Sequence, residues 1–381
     1  MARRPWRTGR LVGLALVLAL TGAACSDDDD DPVAQDDEET TTTADGGGGG
    51  GSLLDEVRDR GTLNCGVNDA VPGFGFLDEG GEYAGFDIEF CKVIAAAVLG
   101  DATAVDYTPL TADQRFTALQ SGEIDVLVRN TTFTATRDGG EGAAFVTTTF
   151  YDGQGMMVRA DSGIASIDDM DDATVCVLQG TTTELNLASR FAAAGLALTP
   201  LTFPDNEQLQ AAFIADQCDG WTSDKSQLAG VRSAFPDTEG GPDALVILDE
   251  TFSKEPLGPV VRDGDSDWYD AVNWAVMATI QAEEFGITTD NVEEMTASDN
   301  PDVLRFLGQP FVAGEGEDPA VLDPGLDLEP DFAVDVISQV GSYGEIYERT
   351  VGPDTPLALE RGLNALWTDD EPGLLYAIPY R

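Results

Sequence analysis

An internal repeat constrains this chain more than any other feature. The stretches YTPLTADQRFTALQSGEIDVLVRN (residues 107–130) and LTFPDNEQLQAAFIADQCDGWTSD (201–224) share one order: strand, cap, helix, short turn, acidic residue, strand. At an offset of 94 positions Thr111 aligns with Asp205, Gln114 with Gln208, Asp125 with Asp219 and Asn130 with Asp224. Thr111 with Gln114, and Asp205 with Gln208, have the spacing of a capping box, so both helices are predicted to start where the strands end. LNCGVNDAVPG (63–73) and ATVCVLQGTTTELNLASRFAAAG (173–195) agree: each is an apolar strand, a small-residue turn and then a helix. Alternation of this kind builds parallel sheets covered by helices, and about 330 residues follow Ser52, enough for two α/β lobes. Ligands bind such sheets off the carboxyl ends of the strands. Those ends are Asn68, Asn130 to Thr132, Gly180 to Thr183 and Asp224, and they line one cleft if the lobes face each other.

Charge and residue usage narrow the chemistry. The chain has 20 Lys+Arg against 70 Asp+Glu, and Arg3, Arg4, Arg7 and Arg10 take four of those cations. So acidic a protein is a poor ligand for nucleic acid or anionic lipid; it suits salty surroundings or a partner with a basic face. No histidine is present, which excludes Ser-His-Asp and Cys-His nucleophiles, imidazole acid–base catalysis and histidine-ligated zinc. Carboxylate-only or lysine-based catalysis stays open. No cofactor and no metal is expected.

Residues 1–25 have the form of an export signal, with an arginine-bearing start, an apolar run from Leu11 to Leu20 and small residues in LTGAAC (20–25). The run is too short to span a bilayer. Residues 26–52, SDDDDDPVAQDDEETTTTADGGGGGGS, have no apolar periodicity and read as a tether of roughly 30 Å root-mean-square span. The remaining cysteines, Cys65, Cys91, Cys176 and Cys218, fall two to each half. Export favours disulfides, and the local pairing Cys65–Cys91 with Cys176–Cys218 is one of three connectivities. No CxxC spacing supports a metal site.

Six segments in order, GFDIEFCKVIAAAVLG (85–100), RFTALQSGEIDVLVRNTTFTATRD (115–138), FYDGQGMMVR (150–159), CVLQGTTTELNL (176–187), SKEPLGPVVR (253–262) and ERGLNALW (360–367), resemble one family. It is that of the solute-binding proteins of general L-amino-acid ABC transporters, the Aap/Bzt type, within the polar-amino-acid-binding class. The likeness runs from about Leu53 to Arg381. It implies a two-lobed type II periplasmic-binding-protein fold, with crossings near Tyr151 to Val158 and near Asp249 to Pro256. Residues 53–157 and 251–381, the latter with a C-terminal helical extension, would then form lobe 1, and 158–250 lobe 2. LTGAAC resembles a bacterial lipobox, implying cleavage before Cys25, a lipid on that thiol, and a location outside the cytoplasmic membrane.

The resemblance also implies roles. Arg137 matches the arginine that holds a ligand's α-carboxylate, for which a planar guanidinium is suited by its two parallel donors. Thr132 matches a hydroxyl donor to the same group, and Asn130 is expected to contribute backbone rather than side chain. Asp224 matches the acceptor of the α-ammonium. Gly180, Thr181 and Thr182 sit at a helix start, where free N–H groups favour a carboxylate. Arg115 would reach an acidic ligand side chain, against a salt bridge to Asp113 or Glu123; Phe74 would line the pocket or the core; Arg129 is expected to be structural. The expected partners are an L-amino acid and the permease subunits of an importer, with the receptor a monomer. A sensor module and a carboxylate-using enzyme on the same fold are the alternatives. No role is assigned to the acidic stretch 313–330.

Overall fold

The computed structural model describes residues 51–312, 314 and 316–380; the leader, Cys25 and nearly all of the tether lie outside them. Ser52 caps the first helix, Leu53–Arg60 (α1), by accepting from the Leu54 N–H at 3.2 Å. Strand Leu63–Val67 (β1) follows, then Ala70–Val71 (β2), Gly75–Leu77 (β3) and Tyr83–Ala84 (β4), which form a small antiparallel sheet. Helix Phe86–Leu99 (α2) is apolar on nearly every face and is buried along most of its length. The first copy of the repeat gives Val105–Pro109 (β5), Arg115–Ser121 (α3) and Val126–Leu127 (β6), and is followed by Ala135–Gly140 (α4) and Ala143–Phe145 (β7).

The ten-residue strand Phe150–Arg159 (β8) leads into a second set: Ala173–Leu178 (β9), Thr182–Ala194 (α5), Leu198–Phe203 (β10), Asn206–Ile214 (α6), Gly220–Asp224 (β11), Lys225–Ser233 (α7) and Leu245–Ile247 (β12). Lys254–Leu257 (β13) then pairs antiparallel with Phe150–Gly153 and returns the chain to Val260–Arg262 (β14) and the long helix Ser266–Glu284 (α8). The two large sheets have matching orders, β5-β1-β6-β14-β7 and β10-β9-β11-β8-β12. In each, the first three strands are parallel and the fourth runs against them. That fourth strand comes from a crossing: β8 on entering the second lobe, β14 on returning to the first. This exchange of one strand per lobe is the type II periplasmic-binding-protein architecture.

The repeat is visible in matching contacts. Asp125 Oδ2 accepts from the Asn64 N–H at 2.7 Å, and Asp219 Oδ2 accepts from the Thr174 N–H at 2.8 Å. The acid before the third strand therefore secures the start of the first strand in each lobe. The caps do not match as predicted. Asp205 caps α6 fully, accepting from the Gln208 N–H at 2.8 Å and from its Nε2 at 2.6 Å. Thr111 instead bonds to the Asp113 carboxylate, 2.5 Å away, and α3 starts only at Arg115, uncapped by a side chain. Asp113 explains the difference, since its other oxygen accepts from Gln179 Nε2 of the second lobe at 3.0 Å, and a turn at 111–114 is needed to present it.

The C-terminal part adds Val292–Met295 (α9), Pro301–Phe306 (α10), Phe332–Gln339 (α11) and Tyr343–Thr350 (α12), which pack into the first lobe's core with α2 and α8. It also braces the hinge. Buried Asn364 accepts from the Tyr151 N–H at 2.6 Å and donates to the Tyr151 carbonyl at 3.2 Å, supplying both partners that a neighbouring strand would supply. Tyr343 donates to the Thr149 carbonyl at 2.8 Å. Arg361, paired with Glu283 at 2.9 Å, lies 5.2 Å and 5.0 Å from the Tyr343 and Tyr347 ring centres.

The disulfides are Cys65–Cys91 and Cys176–Cys218, one per lobe, closing sequence separations of 26 and 42 residues. Cross-links of these lengths remove denatured-chain entropy worth about 3.5 and 4 kcal/mol respectively. Replacing Cys176 and Cys218 by Ser should lower the unfolding free energy of the ligand-free protein by about 4 kcal/mol, read by chemical denaturation. Equal stability of the variant and the parent would remove this account.

Candidate functional site

The carboxyl ends of β1, β6, β9 and β11 converge where the lobes meet. Gly230 permits the close approach on one side: a Cβ there would fall 2.3 Å from the Pro72 carbonyl oxygen of the first lobe. Asn130 and Asp224, equivalent positions of the repeat, touch across the boundary, with Asn130 Nδ2 donating to Asp224 Oδ2 at 3.1 Å. The same amide donates to Gln227 Oε1 at 3.1 Å, and its oxygen accepts from Asn68 Nδ2 at 2.6 Å. The Asn130 side chain thus faces the cleft. Its backbone N–H, expected to serve a ligand, donates to Asp87 Oδ2 at 2.7 Å instead. The left-handed backbone at Asn130, φ 29°, gives both groups these directions.

Three arginines gather on one side. Arg137 Nη1 donates to the Thr132 carbonyl at 2.9 Å and Nη2 approaches the Gly180 carbonyl at 3.5 Å. Arg115 reaches Thr131 Oγ1 and the same Gly180 carbonyl, both at 3.4 Å, while its Nε is buried without a partner. No salt bridge joins Arg115 to Asp113 or Glu123 among the described residues. Arg129 is held by its Nε–H to the Leu110 carbonyl at 2.6 Å. Burial, and then Arg137 and Arg129, push the Arg115 pKa well below its ordinary value. Burial likewise takes Arg129 down to about 10 and lowers Arg137, the latter opposed by Asp224 and Glu255.

Three carboxylates occupy the other side: Asp152 and Glu255 on the paired hinge strands and Asp224 at the end of β11. Asp152 accepts from the Gly153 N–H at 2.7 Å and the Ser226 N–H at 3.0 Å. Glu255 accepts from Thr182 Oγ1 at 2.7 Å and Asn186 Nδ2 at 3.0 Å, and from Ser253. Burial raises Asp152 to about 6, and burial with the charges of Asp152 and Glu255 raises Asp224 well above the usual carboxylate range. Buried like charges disfavour one another's ionised forms, so each pole is destabilised until a group of opposite sign arrives.

Between the poles, Thr132 Oγ1 lies 3.2 Å from Thr182 Oγ1. The Glu255 end fixes the direction of that chain: Thr182 donates to the carboxylate, so Thr132 is the donor to Thr182. Gly180 contributes differently from its expected role. Its N–H is taken by Glu184 Oε2 at 2.8 Å, because left-handed backbone (φ 72°) turns it toward that side chain, and its carbonyl faces the arginines. Thr181 is a helix cap, accepting from the Glu184 N–H at 3.1 Å and donating to the Leu178 carbonyl at 2.7 Å. Phe74 belongs to the first lobe's core. It is fully buried against Phe86 and Phe150, ring centres 5.8 and 5.2 Å away, because the start of α2 and the hinge strand offer it an aromatic pocket.

Asn68, Arg115, Asn130, Thr132, Arg137, Gly180, Thr182 and Asp224 therefore come together. Asp87, Asp152, Gln227 and Glu255 join them unforeseen. The only sequence signal for the two hinge acids was an acidic residue inside otherwise strand-like FYDGQGMMVR and SKEPLGPVVR.

Comparison with known proteins places this arrangement. Residues 63–288 match the model of bacterial extracellular solute-binding proteins, family 3. The chain is 48% identical over 328 residues to the general L-amino acid-binding periplasmic protein AapJ of Rhizobium johnstonii, covering 86% of this chain and 92% of that one. It is 47% identical over 331 residues to the glutamate/glutamine/aspartate/asparagine-binding protein BztA of Rhodobacter capsulatus, covering 87% and 94%. A solved periplasmic binding protein from Brucella ovis with glutathione bound superposes with a TM-score of 0.81 at 45% identity, over 87% of this chain and all of that one. A buried cationic pole facing a buried anionic pole across two lobes, on this fold and with these relatives, has one reading: the chain belongs to family 3 of the bacterial extracellular solute-binding proteins.

Proposed function

We propose that the protein captures L-amino acids between its lobes and delivers them to an ABC importer. The observation that carries this reading is the charge arrangement. An α-amino acid is a carboxylate and an ammonium two bonds apart, and the cleft presents guanidinium groups opposite buried carboxylates. The α-carboxylate docks on Arg137, on the Thr132 hydroxyl once it turns from Thr182, and on the N–H groups of Thr182 and Thr183 at the start of α5, which have no acceptor among the described residues. The α-ammonium docks on Asp224. Because Arg137 and Thr132 belong to the first lobe while Thr182, Thr183 and Asp224 belong to the second, binding and closure are one equilibrium. Arg115, with its unpartnered Nε, receives a side-chain carboxylate and favours Glu and Asp.

The named ligands of the relatives support this class, and glutathione, bound by the Brucella ovis protein, has an L-glutamyl end with free α-amino and α-carboxylate groups. The site groups named above are of the kinds that hold an amino acid by charge and hydrogen bond. We assign no enzymatic step. The lipid anchor at Cys25 completes the proposal: a monomeric receptor tethered outside the membrane.

Calorimetric titration of ligand-stripped protein with L-Glu, L-Gln, L-Asp and L-Leu tests the reading. Several should bind, and Arg137→Ala should weaken all of them by about 100-fold, the scale of a lost charge-assisted pair. Binding of none of them, or an Arg137→Ala variant that binds as the parent does, would overturn it. Arg115→Ala should weaken L-Glu by about tenfold relative to L-Leu; an unchanged ratio removes that role.

The raised carboxylates add a pH dependence with a definite sign. In the free protein Asp152 and Asp224 hold protons at higher pH than ordinary carboxylates, and an incoming ammonium requires the ionised form. Affinity should fall as pH drops through about 6, where Asp152 takes up its proton, with proton release on binding visible in buffers of different ionisation enthalpy. Constant affinity from pH 5 to 8 would exclude the linkage.

A further inference from the structure

Contacts between the lobes are of two kinds. Asn130 with Asp224, Thr132 with Thr182 and Asp113 with Gln179 join side chains, which can rotate as the lobes part. Gly230 meets the other lobe with bare backbone and has no such slack. It lies inside α7 with ordinary helical backbone, and a Cβ there would fall 2.3 Å from the Pro72 carbonyl oxygen and 3.3 Å from the carbonyl carbon. A second approach, of Gly180 to Asp113, is looser, an added Cβ lying 3.1 Å from the nearest atom. Glycine inside a helix is less favourable than alanine, so the residue at 230 answers to what lies outside α7.

Pro72 is held firmly on its side. Its turn between β2 and β3 is closed by the Phe74 N–H donating to the Val71 carbonyl at 3.1 Å. The turn is pinned to the start of α2 by the Phe86 N–H to the Gly73 carbonyl at 2.8 Å and the Asp87 N–H to the Phe74 carbonyl at 3.0 Å, and Leu357 packs tightly against Gly73. On the other side α7 is tied to the clamp. Asp224 is its N-cap residue, the Ser226 N–H in its first turn donates to Asp152 at 3.0 Å, and Gln227, three residues before Gly230 and so on the same face, accepts from Asn130. A shift of α7 therefore carries Asp224 with it. We propose that Gly230 is the stop that fixes how far the cleft closes: α7 comes to rest on the Pro72 carbonyl, and this sets the separation at which Asp224 faces Arg137 and Thr132. Gly230 is thus a positioning residue, acting on the ligand only through Asp224. It rests on the amino-acid reading above and adds what determines the closed width. Alanine at 230 needs roughly 1 Å more room to reach ordinary contact, so every ligand held by its α-carboxylate and α-ammonium loses affinity by the same factor, whatever its side chain.

Gly230→Ala in the ligand-stripped full chain is compared with the parent by calorimetric titration with L-Glu, L-Gln and L-Leu, by thermal unfolding without ligand, and by a crystal structure at ligand saturation. Affinity for all three should fall by about tenfold and by equal factors. In the crystal α7 should stand roughly 1 Å farther from Pro72, with Asp224 displaced alongside it. The ligand-free variant should unfold at the parent's temperature or above it, since alanine is the better helix former and an open cleft has room for it. Unchanged affinity overturns the stop, as does a Pro72 turn that moves aside while α7 keeps its place. A lower unfolding temperature without ligand also overturns it, making Gly230 an ordinary packing glycine, and so does a loss confined to one ligand, which would put the new methyl against that ligand's side chain. A parent that binds none of the three overturns the capture reading and the stop with it.

Discussion

Six charges, five of them buried and Asp152 half-buried, are held apart in two groups of three and set the terms for the rest of this molecule. Arg115, Arg129 and Arg137 press on one another, as do Asp152, Asp224 and Glu255, and neither group is relieved by direct pairing with the other. Such an arrangement persists only if the backbone fixes every member. The strand ends, the hinge pair and the first turns of α5 and α7 do this, through bonds such as Arg137 to the Thr132 carbonyl and Asp152 to the Ser226 N–H. A zwitterion relieves both poles at once. Neither an isolated carboxylate nor an isolated amine can do the same, which is a physical basis for selecting amino acids from other small ions.

The repeat brings a pseudo-two-fold relation, and the site lies where that relation is broken. Asn130 and Asp224 occupy equivalent positions and meet face to face, yet one is a neutral amide and the other a carboxylate. The arginines have no counterparts in the second copy: position 115 aligns with Leu209 and 129 with Ser223. Equal lobes would accept a zwitterion in either direction. Unequal ones accept it in a single direction, while the framework acids Asp125 and Asp219 make the same contact in both lobes.

The features legible in the sequence were those that recur. The strand–helix–strand units, the acids at 125 and 219 and the strand-end positions follow from periodicity and the 94-residue offset. Residues whose partners lie far away in the chain were not legible. Asp152 meets Ser226, Glu255 meets Thr182 and Asn186, and Gln227 meets Asn206; no local pattern signals any of these. Local rules also yielded to tertiary demand. The Thr111 capping box keeps only the Gln114 half, Oε1 accepting from the Thr111 N–H at 3.3 Å, because Asp113 is used between lobes and takes the Thr111 hydroxyl; Phe74 goes to the core because α2 offers it aromatic neighbours, and Gly180 turns its carbonyl to the arginines because Glu184 takes its N–H. The hinge brace belongs to this group too, since Asn364 lies 213 residues from Tyr151 and beyond residues 63–288.

That brace and the exchanged strands have a consequence for how the protein is made. Five strands of the second lobe's sheet, β8 to β12, come from one continuous stretch, Phe150 to Ile247, so they can pair while later residues are still emerging. The first lobe's sheet lacks β14 and its core lacks α8 until the chain has passed through its neighbour and come back. Domains that need distant segments form slowly and expose apolar surface meanwhile. Asn364 follows α8 in the chain, so the two lobes assemble on a loose hinge, and that hinge is tightened only after the first lobe's sheet has been closed.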